Sequence, residues 1–224
     1  MRWNGTYTVS LAVITAIVAL SCSGPELADG GSATDVGYTV AGSVKDSTNS
    51  PIADVEVVMY RNEKHTTYKI SMSLPVDTAH TDSIGAYYFD KILNGEYTVI
   101  GSSPSGEEMA ILKNVSINGD AQFGSMELRA GAELTGIVNV DINDPVYIVL
   151  KNTPYIAKVD MSSRSYGMPQ VPLGEYAVAT IILDLDNQST AKVHGRIDTI
   201  TIENGSNRFN PNLNGLFQFT DSYE

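Results

Sequence analysis

From Tyr38 onward, apolar and polar residues alternate with a period of two through much of the chain. Tyr38-Thr39-Val40-Ala41-Gly42-Ser43-Val44 opens the pattern, and Val55-Glu56-Val57-Val58-Met59-Tyr60 continues it. Ala86 to Phe89, Tyr97 to Gly101, Val115 to Ile117 and Phe123 to Leu128 follow. A period of two places successive side chains on opposite faces of a strand. Turn residues separate these segments: Lys45 to Asn49, Thr81-Asp82-Ser83-Ile84-Gly85, Asn94-Gly95 and Asn118-Gly119, the last being the strongest hairpin dipeptide present. Within the irregular connection from Arg61 to Pro75, Thr67 to Met72 reads as a further strand. No apolar stripe at helical spacing is long enough for a substantial helix. Short strands between Gly, Pro, Asn and Asp turns predict an all-β fold of antiparallel sandwich type.

The pattern then restarts. Glu133-Leu134-Thr135-Gly136-Ile137-Val138 mirrors the strand around Gly42, and Pro145 follows Gly136 at the distance at which Pro51 follows Gly42. Val146 to Leu150 repeats the second strand. Tyr166 precedes Tyr176 as Tyr87 precedes Tyr97, and Val171 stands where Ile92 stands. Gly95-Glu96-Tyr97 returns as Gly174-Glu175-Tyr176, with Tyr and Val expected on the core face and Glu, Thr or Ala on the other. Ile197 to Ile202 with Asn204-Gly205 matches Val115 to Ile117 with Asn118-Gly119, and Leu216-Phe217-Gln218-Phe219 is expected to close the second sheet. Features in the same order at similar spacing predict a tandem repeat with its boundary near Gly131-Ala132. The expected layout is two sandwiches, 37–130 and 131–224, each large enough for a small core.

The N-terminus has a different character. Arg2 precedes an apolar run from Val9 to Leu20, well short of the about 20 residues that span a bilayer. The run ends in Ala19-Leu20-Ser21-Cys22, and Cys22 is the only cysteine. The segment resembles a bacterial lipoprotein signal, which implies a signal peptide over 1–21 and lipidation of Cys22. The alternative, a plain secretory signal with a chance cysteine, leaves an unpaired thiol outside the cytosol, where cysteines normally pair. Two or three acyl chains, at about 0.8 kcal/mol per buried methylene, hold a protein firmly on a membrane. Ser23, in place of an acidic residue, implies the outer membrane by the same resemblance. Ser23 to Asp35 is rich in Gly, Ser, Ala and acids, so 22–36 is expected to be a flexible tether.

The first unit also resembles the carboxypeptidase regulatory-like domain, a transthyretin-like or prealbumin-like (Ig-like) β-sandwich. The resemblance is carried by Gly42-Ser43-Val44, Pro51-Ile52-Ala53-Asp54-Val55-Glu56-Val57, Thr81-Asp82, Gly85-Ala86-Tyr87-Tyr88-Phe89, Ile92 and Gly95-Glu96-Tyr97-Thr98-Val99. The second unit matches more loosely, with Met161 and Arg164 in the places of Asp82 and Gly85. The resemblance implies a scaffold that contributes no catalytic residues. Independently of it, Gly85 and Gly95 suit positive φ. Tyr87, Phe89, Ile92, Tyr97 and Val99 are expected to supply the bulk of one sandwich face.

Composition narrows the function. Of 224 residues, 42% are hydrophobic and 18% charged, which permits a packed core, and the formal net charge of -12 disfavours nucleic acid and anionic lipid as partners. His65, His80 and His194 show no metal-ligand spacing, so no metal or cofactor is expected. Neither Asp82 with Asp90 nor Asp184 with Asp186 has an acid–base context, and no G-x-S-x-G elbow exists. Asp184-Leu185-Asp186-Asn187 lacks the Gly and distal Glu of a calcium loop. The only tryptophan, Trp3, lies in the signal segment, so a glycan platform would have to use tyrosine. Tyr60, Tyr68, Tyr88 and Tyr155 are expected on outer faces or loops, with Tyr68 and Tyr155 the best candidates for ligand binding. The expectation is a non-catalytic, lipid-anchored envelope protein with a structural, adhesive or assembly role, its partners being the membrane through Cys22 and envelope proteins or glycans. The alternative is a carbohydrate-binding accessory lipoprotein of a polysaccharide-handling system.

Overall fold

The structure, a computed structural model, describes residues 37–62, 73, 75–140, 144–184 and 192–213. Cys22, the signal and tether segments, Tyr68, His65, Thr67 to Met72 and Leu216 to Phe219 lie outside the described residues. So do residues 185–187 of the acidic loop.

The chain is all-β. The first half forms β1 (Tyr38–Lys45), β2 (Glu56–Arg61), β3 (Pro75–His80), β4 (Ala86–Ile92), β5 (Gly95–Ser102), β6 (Glu108–Ile117), β7 (Ala121–Glu127) and the short β8 (Arg129–Ala130). The second half forms β9 (Ala132–Ile137), β10 (Val146–Leu150), β11 (Ile156–Lys158), β12 (Ser165–Val171), β13 (Gly174–Asp184), β14 (Lys192–Ile202) and β15 (Ser206–Arg208). A three-stranded sheet β4-β1-β7 faces a five-stranded sheet β3-β2-β5-β6-β8. The second half repeats this order as β12-β9-β15 and β11-β10-β13-β14.

Alternation explains the packing. In β1, Val40 and Val44 are buried while Thr39 is exposed; in β4, Tyr87, Phe89 and Ile92 point inward and Tyr88 outward. One core gathers Val40, Val57, Met59, Tyr87, Phe89, Tyr97, Val99, Ile117 and Leu128. A second gathers Leu134, Val138, Ile148, Leu150, Tyr166, Tyr176, Val178 and Ile202. Each fully buried apolar side chain of this size contributes about 1.5–3 kcal/mol. The five residues expected on one face are all buried, but they divide between facing sheets: Tyr87, Phe89 and Ile92 from β4, Tyr97 and Val99 from β5.

Several expectations are refined. Pairing between strands is antiparallel except for β1 with β7 and β9 with β15, which run parallel. Asn118-Gly119 does not make a hairpin. It carries the chain from β6 to β7 in the opposite sheet, because Ile117 and Met126 must face one core from two sides. The strand described between β2 and β4 is β3, a polar, mostly exposed edge strand with little apolar signal.

The repeat is closest at its turns. Gly42 lies across from Tyr87, and Gly136 across from Tyr166. A Cβ on Gly42 would stand 2.4 Å from the Tyr87 hydroxyl, and one on Gly136 would stand 1.9 Å from the Phe209 carbonyl. Gly85 has φ 73°, and its counterpart Arg164 keeps the left-handed conformation at φ 55° without being glycine. Their carbonyls accept the amides of Val44 and Val138. The acid that braces the second turn is Asp160, not a residue at Met161, because that turn is one residue longer. Asp160 Oδ1 accepts from Ser162, as Asp82 Oδ1 accepts from the Ile84 and Ala86 amides. The Gly-Glu-Tyr tyrosines anchor both cores. Tyr97 donates to the Leu93 carbonyl at 2.8 Å and Tyr176 to the Pro172 carbonyl at 2.6 Å, fastening each tight turn to the strand that follows it.

Candidate functional site

Thr98 breaks the inside–outside pattern of β5. It lies on the face opposite Tyr97 and Val99, where solvent was expected, yet it is 0% exposed, and Ile100 on the same face is 4% exposed. The second sandwich supplies cover for that face. Ile111, the cross-strand partner of Ile100, packs against the second core. The outer face of the five-stranded sheet is therefore one half of a junction.

Polar groups complete it. The ammonium of Lys113 donates to the Glu175 carbonyl and stands 4.1 Å from the centroid of the Tyr176 ring. Burial pulls the Lys113 pKa below its ordinary value, with the Glu175 charge opposing. Asn114 sits at a bulge with φ 55°, and its Oδ1 accepts from Asn152 at 3.0 Å and from Asn62 at 3.5 Å. Asn62 Oδ1 in turn accepts from Thr98 at 3.1 Å. A chain of side-chain hydrogen bonds thus runs from inside the first sheet to the second sandwich. Thr98 and Asn62 are buried, whereas the Asn152–Asn114 bond that crosses to the second sandwich is exposed.

Tyr155 belongs to the same junction. It is half-buried against the second core, and its hydroxyl donates to Met109 Sδ at 3.8 Å. Burial raises its pKa, with Tyr176 and Tyr60 as further contributors. Tyr60 is half-buried as well, and burial raises its pKa. Among the described tyrosines expected outside, Tyr88 is the exposed one, at 67%. The junction was missed in the sequence because β5 and β6 carry an ordinary strand alternation and nothing local reports what covers the second face.

At the Arg61–Glu96 end of the first sandwich, Arg61, Asn62, Asn94, Gly95, Glu96, Ser116, Ile117 and Asn118 line an open cleft of about 760 Å³ among the described residues. Arg61 Nη2 donates to the Asn94 carbonyl at 3.4 Å. Gly95 has φ 157° and its counterpart Gly174 φ 144°, so the backbone turns sharply at both places. Guanidinium, amide, carboxylate and hydroxyl groups here can make directional hydrogen bonds. Among the described residues, no three His, Cys, Asp or Glu side chains converge as a metal site.

No family model matches the chain, and no curated protein does. Among solved structures it is similar to a minor pilin of Streptococcus agalactiae, at 13% identity over 78% of this chain and 94% of that one, with a TM-score of 0.32. It is also similar to a shaft pilin of Lactobacillus rhamnosus, at 9% identity over 78% and 97%, with a TM-score of 0.29. A third likeness is to a chain of a type II cohesin–X-dockerin complex from Acetivibrio cellulolyticus, at 21% identity and a TM-score of 0.31. That match takes in 42% of this chain and 59% of the other, less than two thirds of its length. The all-β architecture rests on the strands themselves, and none of these superpositions assigns a ligand or a partner.

Proposed function

We propose that the protein is a non-catalytic, lipid-anchored module of the bacterial cell envelope, held at the outer membrane through Cys22. In this reading 1–21 is a signal peptide, 22–36 a tether, and 37–130 and 131–224 two sandwiches of the carboxypeptidase regulatory-like kind. The observation that carries it is the junction: Lys113, Asn114, Asn62, Asn152 and Tyr155 are spent on holding two sandwiches together. A rigid two-unit body on a lipid tether suits a structural, adhesive or assembly role. Radiolabelled palmitate and membrane fractionation test the anchor. The wild type is expected to take up label and sediment with membranes, and Cys22→Ala to lose both; a Cys22→Ala chain that fractionates unchanged overturns the reading.

Carbohydrate binding is a second reading, supported by the exposed ring of Tyr88 on β4. Tyr68 remains a candidate on sequence grounds, and Tyr155 stands half-buried at the junction with its hydroxyl toward Met109. A glycan array run with wild type, Tyr88→Ala and Tyr68→Ala decides it: specific retention that either variant abolishes favours an accessory lipoprotein, and no retention removes that role.

A further inference from the structure

Two sandwiches on one plan separate what the fold requires from what it does not. In β4 and β12 buried and exposed positions follow the same order, and the core residues correspond: Tyr87 with Tyr166, Phe89 with Met168, Ile92 with Val171. Both strands also carry the same register shift against the middle strand of their sheet. The outward positions do not correspond. Tyr88, 67% exposed, has Gly167 as its counterpart, Asp90 has Pro169, and Gln122 has Arg208. A glycine at the matched site shows that this strand forms without an aromatic there. Neither packing nor strand propensity requires the Tyr88 ring.

Around that ring the outer face of β4-β1-β7 is a shallow floor with polar edges. Tyr88 lies across from Ala41, and Ala41 across from the exposed Gln122, so ring and amide are rooted about 10 Å apart with a methyl group between them. Two positions along β4, Asp90 Oδ1 accepts from the Thr39 hydroxyl at 3.2 Å, and Asp120 Oδ1 accepts from the Thr39 amide at 2.8 Å. We propose that this face binds an uncharged sugar, whose C–H face stacks on the Tyr88 ring and whose hydroxyls bond to Asp90 and Gln122. The proposal rests on the carbohydrate reading and gives that site its ligand class and its contacts. An aromatic ring offers an apolar platform of the right breadth. A carboxylate accepts at two oxygens, so Asp90 can take a sugar hydroxyl while it keeps Thr39. The class follows from charge: Asp90 and Asp120 are both anionic, and the net charge of -12 disfavours uronate or sialate polymers.

Affinity electrophoresis of the full chain in a neutral detergent tests this, in native gels cast with glucomannan, xyloglucan, dextran or polygalacturonate. The wild type is expected to be retarded in at least one of the three neutral gels and to run in polygalacturonate as in a blank gel. Tyr88→Ala is expected to weaken the retardation about tenfold, and Tyr88→Phe to keep it, because the ring does the stacking. Asp90→Ala is expected to weaken it several-fold. A β-type circular dichroism spectrum for Tyr88→Ala, expected from the glycine at the matched site, separates lost binding from lost folding. Retardation that Tyr88→Ala retains overturns the assignment and leaves carbohydrate binding standing. Retardation by polygalacturonate alone overturns the ligand class. No retardation in any gel overturns the assignment together with the carbohydrate reading.

Discussion

Tyr87 and Tyr166 occupy the same place in the two sandwiches, each directly across from a glycine, yet only Tyr166 has a partner for its hydroxyl. Tyr166 donates to the Phe209 carbonyl at 2.8 Å, whereas the Tyr87 oxygen is buried with no partner. Burial raises both phenol pKa values, so both hydroxyls stay protonated at neutral pH. Tyr166→Phe is expected to cost about 0.5–1.5 kcal/mol, while Tyr87→Phe removes an unsatisfied group and is neutral or stabilising. Urea unfolding of the two variants checks the asymmetry; equal losses would contradict it.

Gly136→Ala is expected to be among the most damaging single substitutions, because the new methyl meets the backbone oxygen of Phe209 at 1.9 Å and cannot displace it cheaply. Gly42→Ala meets the end of the Tyr87 side chain and is expected to be milder. Gly119→Ala, with nothing within 4 Å, serves as the tolerated control. Thermal melts should rank the three in that order.

Lys113 is the hinge pin of the junction. Lys113→Ala removes the bond to the Glu175 carbonyl and the contact with the Tyr176 ring, the latter worth about 0.5–1 kcal/mol at a half-exposed site. Lys113→Met keeps the hydrocarbon stem against the ring and avoids burying a charge. The alanine variant is expected to enlarge the radius of gyration in small-angle scattering and to increase protease cleavage near Gly131. The methionine variant should recover part of both. Superimposable scattering curves for wild type and Lys113→Ala would show the two sandwiches are held by other contacts.

Acid should weaken two loops first. Asp46 is held below the ordinary carboxylate range by hydrogen bonds from Thr48 and Ser50, and Asp160 by those from Ser162 and Ser163. A carboxyl whose folded pKa is depressed contributes stability that is complete above its unfolded value of about 4 and is lost as pH falls through the folded value. The urea midpoint is expected to fall between pH 6 and pH 3, and the Asp46→Asn/Asp160→Asn double variant to show a smaller fall. An identical fall in the variant would rule out these turns as the acid-sensitive element.

The repeat was legible in the sequence because its markers are steric. Gly42 and Gly136 face a tyrosine, and Tyr97 and Tyr176 tie back to the preceding turn, so spacing alone reveals them. Asp160 was misread by one position because an inserted turn residue shifts the acid without changing its role. The junction was not legible. Thr98 carries the residue type of a solvent face, yet it is fully buried and bonded to Asn62 on the face where the second sandwich docks. Tyr155 shows the same limit from the other side: a loop tyrosine suits a sugar platform and a protein contact equally well, and its contact with Met109 is visible only in the folded chain.

The parallel pairing of β1 with β7 and of β9 with β15 gives each sandwich a mechanical property. β1 and β7 lie side by side and point the same way, as do β9 and β15, so the chain enters a sandwich at one end and leaves at the other. Tension applied through the termini slides the two strands past each other lengthwise. Their hydrogen bonds are then stressed in shear and must yield nearly together, where an antiparallel pair joined at one end would unzip bond by bond. A body tethered at its N-terminus and pulled from its far end would resist extension through these two short ladders.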